Sequence, residues 1–109
     1  MRSDVKEKWL EGLESDRYRQ ARFNLKTKNG MCCLGVLCDL YLKEHNKFWG
    51  SDGAYEGDPD LPEKVVTWAG LADKDPFVIF EGLNDRLTTL NDRHQLSFRK
   101  IADLIEAQL

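Results

Sequence analysis

Apolar residues recur at helical spacing in several stretches of the chain and alternate with polar ones in another. Val5, Trp9, Leu10 and Leu13 share one helical face, and Asp4 followed by Glu7 has the spacing of a capping box, so a first helix is predicted near residues 4–15. Over residues 22–28, Phe23 and Leu25 alternate with polar neighbours. Asn29-Gly30 follows, the dipeptide that type I′ turns favour because both central residues need positive φ, and residues 31–33 are predicted to return as the second strand of a β-hairpin. From Leu34 the pattern changes. Leu34, Leu37, Leu40 and Tyr41 form the buried stripe of a helix running to about Glu44.

Residues 46–60 collect helix and strand breakers around Phe48, Trp49 and Tyr55, which reads as a long loop, and loops of this length in a compact domain are usually functional or disordered. Asp60 or Leu61 is expected to cap a short helix with Pro62 in its first turn, Val65, Val66 and Trp68 inward, and Gly70 as its stop. Phe77–Phe80 reads as a short strand, a third partner for the hairpin. Near the end, Ser97 is a good N-cap, Leu96 and Ile101 sit where a hydrophobic staple places them, and Phe98, Ile101, Ala102, Ile105 and Leu109 line one helical face. A short echo precedes that helix, Leu83-Asn84-Asp85-Arg86 and Leu90-Asn91-Asp92-Arg93. Two copies cannot make a solenoid; the first reads as a turn or helix end and the second as the loop before Ser97. The expected fold is a single α+β domain over residues 1–109, a small antiparallel sheet built on the hairpin and covered by three or four helices.

Composition narrows the class. The chain has 109 residues, 41% hydrophobic and 32% charged, so one core is the natural reading and disorder is disfavoured. No apolar run approaches the roughly 20 residues a bilayer needs, and residues 1–8 lack the apolar core of a signal peptide. Three cysteines, two of them adjacent, are not the even, spaced set of a secreted domain, so a reducing cytoplasm is expected. The net charge of −3 conceals a division: residues 1–30 hold eight basic and five acidic groups, whereas residues 47–81 hold three and eight. That balance weakens the case for tight duplex DNA binding yet leaves room for a local cationic site.

Residues 17–28 carry five basic groups and no acid, interleaved with Tyr18 and Phe23. Such a stretch contacts phosphates while an aromatic ring stacks on a base; the alternative is a solvated hairpin face. The candidate ligand-binding residues are Tyr18, Arg19, Arg22 and Lys26, with Trp49 or Tyr55 stacking from the loop. Asp39 stands in an apolar run and, if buried, needs a cation, which Arg19 or Arg22 of the preceding segment is expected to provide. Cys33, Cys38, His45 and His94 could supply metal ligands, but their spacing matches no known knuckle and buried thiols are the preferred reading. Cys32 and Cys33 precede a helix, which lowers a thiol pKa, so a small enzyme using a cysteine or Asp39 with His45 stays open as a second function class. Residues 97–105 look like the first helix of a helix-turn-helix with no recognition helix after it, which disfavours sequence-specific DNA reading and leaves a nucleic-acid accessory role as the weaker alternative. The acidic residues of 52–63 lack a calcium-loop pattern. No Walker-type, dinucleotide or Ser/His/Asp motif is present, and no catalytic residue, metal or cofactor is assigned.

Several of these pieces together resemble a family of small, mostly uncharacterised phage and prophage proteins. They are Tyr18-Arg19-Gln20 with Arg22, the run from Cys32 to Leu40, and Leu61-Pro62 with Val65, Trp68 and Gly70-Leu71. Leu90-Asn91-Asp92 with Ser97-Phe98 and the run from Ile101 to Glu106 completes the set. The resemblance implies a phage origin. With it, the expected function is that of an accessory protein acting by binding in the host cytoplasm, inhibiting a host defence component or sequestering an anionic nucleotide signal. A host protein or a small anionic nucleotide is the expected partner, and a homodimer through the apolar C-terminal helix is the expected association.

Overall fold

A computed structural model describes all of residues 1–109. Helices and strands follow in the order α1 (Ser3–Glu14), β1 (Lys26–Thr27), β2 (Gly30–Met31), α2 (Cys33–Glu44), α3 (Glu63–Ala69), β3 (Phe77–Phe80), β4 (Leu83–Arg86), α4 (Leu87–Asp92) and α5 (Phe98–Gln108). β1 pairs with β2 and β3 with β4, each pair antiparallel and each its own small sheet, so the fold is α+β with five helices. No helix is long and apolar enough to cross a membrane.

The organising element is α2. Nine of its twelve residues are buried, which requires neighbours on nearly every side, and α1, α3, α4 and β2 supply them. Trp9 of α1 is fully buried against it and donates its indole N–H to the Cys33 carbonyl at 3.0 Å, so the large ring enters the core without an unpaired polar atom. Gly35 lets the hairpin lie directly on the helix: a Cβ there would stand 1.8 Å from the Leu25 carbonyl oxygen. The apolar face of α5, with Phe98, Ile101, Ala102 and Ile105 buried, packs on α1 and β3, and Ser97 caps the helix by accepting from the Lys100 N–H. That face is filled from within the chain.

Helix starts differ in detail from expectation. Arg2, not Asp4, occupies the N-cap of α1, because the Arg2 N–H is bound to the Ala69 carbonyl at 2.9 Å and brings the chain into the helix earlier; Asp4 then pairs with the Arg2 guanidinium instead of capping. Pro62, not Asp60 or Leu61, precedes α3, while Gly70 ends it in the left-handed conformation as its position predicts.

The first hairpin is shorter than expected and its turn lies one residue earlier. Thr27 pairs with Gly30, so Lys28 and Asn29 are the central pair and Gly30 opens β2. Its third neighbour is not Phe77–Phe80 but the segment 19–21: the Met31 N–H donates to Arg19 O at 2.9 Å, and the Ala21 N–H donates to Met31 O at 2.8 Å. Phe77–Phe80 instead folds back on Leu83–Arg86 through Glu81-Gly82, both at positive φ, which a two-residue hairpin needs.

The sequence echo therefore takes two structures, its first copy forming β4 and its second lying across the end of α4. Asn91 explains the second. It is fully buried and accepts from the Gln20 amide and the Cys33 N–H while donating to Ala21 O and Asp92 Oδ1, tying α4 to the start of α2 and to the segment beside β2. Residues 46–60 are likewise ordered. Asp52 accepts from the Tyr41 hydroxyl and pairs with Lys47 and Lys64, which clamps the loop to α2 and α3 and holds the carboxyl well below its ordinary range.

Candidate functional site: a cationic cleft on the first hairpin

The chain leaves α1 with Arg17 held by both guanidinium nitrogens on Glu11, at 2.8 and 2.6 Å. Residues 19–21 then run beside β2, β1 lies on the other side of β2, and the loop at 56–58 covers the outer edge of β1 through bonds from Lys26 N–H to Glu56 O and Leu25 N–H to Asp58 O. Gly30 lies in the middle of this ribbon. A Cβ there would stand 2.2 Å from Arg19 O, so the position has to be glycine, which lets the backbone of residue 19 lie directly against β2.

The ribbon carries a shallow cleft of about 330 Å³ whose lining includes Arg17, Arg19, Lys26 and Lys28 and no acidic residue. Arg17 is spoken for by Glu11, but Arg19, Lys26 and Lys28 form no ion pair. Cations without an ion pair on the lining of an open concavity attract an anion, and the exposure of Arg19 and Lys28 makes that attraction sensitive to salt.

Asp39 underpins one side of this arrangement. It is 7% exposed and accepts from the Tyr18 hydroxyl at 2.8 Å and the Trp49 indole N–H at 3.1 Å, with the Lys43 ammonium at 2.9 Å. Burial pushes its carboxyl upward, but the bonds from Lys43, Tyr18 and Trp49 outweigh burial and hold it below 3.8. The same burial and the carboxylate together raise the Tyr18 hydroxyl above 10.0. Two lysines lie over the rings so fixed, Lys26 at 5.7 Å from the centre of Trp49 and Lys43 at 5.3 Å from that of Tyr18. Asp39 thus orients Tyr18, a cleft residue, and Trp49, on which the cleft residue Lys26 rests.

Of the residues singled out from sequence, the structure brings Tyr18, Arg19 and Lys26 together at the cleft. Arg22 and Tyr55 are exposed but do not line it, and Trp49 lies half-buried outside it. Asp39 is paired with Lys43, one turn along α2, rather than with Arg19 or Arg22, whose segment is turned toward β2 by its backbone bonds. Arg17, Lys28 and Gly30 were not singled out. For Lys28 the signal was present in its two-residue offset from Lys26 along a predicted strand.

The thiols occupy another environment. Cys32, Cys33 and Cys38 are all buried, and burial raises Cys32 to about 11, Cys38 to about 12 and Cys33 well above 9.0, the opposite of what a nucleophile needs. His45 is exposed at the end of α2 with Nδ1 on the Tyr41 carbonyl, and His94 stands beside Asp85 and Phe80. No three His, Cys, Asp or Glu side chains are grouped so as to hold a metal ion.

No curated protein and no solved structure matches this chain. A family model does, over residues 1–109, and the chain belongs to the family it describes, the domain of unknown function DUF8296.

Proposed function

We propose that the protein acts by binding, and that the cleft on the first hairpin captures a small anionic ligand such as a nucleotide signal. One observation carries the reading: Arg19, Lys26 and Lys28 line a concavity that holds no acid, and none of the three has an ion pair of its own. The buried, proton-retaining thiols favour binding over thiol chemistry. The resemblance to phage proteins supports a setting in the cytoplasm of an infected host. There, sequestering an anionic nucleotide signal would inhibit the defence component that responds to it.

The test is calorimetric titration of the full chain with ATP at low ionic strength, repeated on an Arg19→Ala/Lys28→Ala double variant. Both side chains are exposed and neither makes a hydrogen bond or ion pair, so the variant keeps the fold. Saturable binding that the double variant loses supports the proposal; absence of binding by the wild-type chain, or equal binding by both, overturns it.

A further inference from the structure

We infer, resting on the binding role proposed above, that the cleft reads a chain of phosphates and leaves the remainder of its ligand unread. The ligand class is then the polyphosphate: pyrophosphate, tripolyphosphate, or the tail of any nucleoside triphosphate.

The first argument is the chemistry of the lining. Arginine and lysine side chains are hydrogen-bond donors with no acceptor, and they dominate this cleft. Telling one base from another requires acceptors as well as donors, because each base presents both on its edges. The Thr27 hydroxyl is occupied by the Asn29 N–H and Gly30 O, which leaves Asn29 as the one side chain here free to offer an acceptor. A lining whose charged side chains only donate matches a ligand that only accepts, and ionised phosphate oxygens do that.

The second argument is the placement of rings. Base recognition on an open surface relies on an aromatic face for stacking. Trp49 is outside the cleft, with its N–H on Asp39 and the Lys26 ammonium over its ring. Tyr18 is at the cleft, but its hydroxyl is bound to Asp39 and Lys43 lies over its ring. Each ring already holds a lysine of this protein rather than standing open for a base.

The third argument is span. Arg19 and Lys26 flank β2 from opposite sides, so their backbones are about 10 Å apart, two strand spacings, with β2 between them. A lone phosphate engages one of the two. A chain of phosphates engages both.

The experiment is a titration series on the full chain at constant ionic strength with phosphate, pyrophosphate, tripolyphosphate and each of ATP, GTP, CTP and UTP. Affinity is expected to rise from phosphate to tripolyphosphate by about tenfold per added phosphate, one charge-assisted hydrogen bond's contribution. The four nucleotides should bind alike and no more tightly than tripolyphosphate. Two results would overturn the inference while leaving the binding role standing: one nucleotide binding about tenfold more tightly than tripolyphosphate, or affinities that do not change with phosphate number. Failure of every member of the series to bind would instead remove the binding role itself.

Discussion

Replacing Asp39 by asparagine tests how the scaffold supports the cleft. The substitution keeps size and shape, removes the charge, and turns an amide N–H₂ toward groups that are themselves donors. Tyr18 and Trp49 each exchange a charge-assisted bond for a neutral or broken one, at about 1 kcal/mol apiece. Lys43 is 70% exposed, so its ion pair with Asp39 contributes only about 0–1 kcal/mol. The expected loss is therefore about 2–3 kcal/mol, equivalent to a fall of about 10 °C in Tm for a chain of this length. Urea unfolding followed by tryptophan fluorescence measures it, with the midpoint lowered and the slope unchanged. The pH dependence provides a second check. The folded Asp39 carboxyl is held below 3.8, so its stabilisation is complete above that value and is lost as pH falls through the folded value. The gap between wild type and Asp39→Asn should accordingly be widest near neutrality and close on acidification. A loss below about 0.5 kcal/mol at neutral pH, within the range of ordinary surface substitutions, or a gap that does not change with pH, would refute the reasoning.

Asn91→Ala should be still more damaging, about 3–5 kcal/mol, because it strands the buried Cys33 N–H together with Gln20 and Ala21 O; chemical denaturation measures it. Gly35→Ala should prevent stable folding or cost upwards of about 3 kcal/mol, since its methyl group would meet the Leu25 carbonyl, and loss of the cooperative thermal transition reports it. All three thiols should resist iodoacetamide at pH 8 in the folded chain and react at once in denaturant, as mass spectrometry would show.

The helices were legible because each carries its own periodicity: the stripe through Leu34, Leu37 and Tyr41 and the face from Phe98 to Ile105 both became buried surfaces. Strand pairing was legible only in part: the first hairpin was expected near residues 22–33 and is present, but its register and the pairing of Phe77–Phe80 with Leu83–Arg86 were not foreseen. Asn29-Gly30 has the composition of a type I′ turn, yet the close approach of Arg19 O draws Gly30 into β2, and Glu81-Gly82, with a weaker sequence signal, forms the positive-φ turn. The Leu-Asn-Asp-Arg echo shows the same limit, one copy taken into a hairpin by Phe77–Phe80 and the other held at the end of a helix by the hydrogen bonds of Asn91. At the cleft, the basic stretch of residues 17–28 was visible from charge alone. Which of its cations line the cleft was not, because that follows from the ribbon pairing that sets Arg19 against Gly30 and Lys26 against Met31.

Amide chemical-shift mapping with tripolyphosphate examines the cleft most directly, since it reports where an anion sits as well as whether it binds. Saturable shifts concentrated at residues 17–19 and 26–31, and abolished in the Arg19→Ala/Lys28→Ala variant, are the predicted result. Shifts centred on another surface, or none at all at low ionic strength, would contradict it.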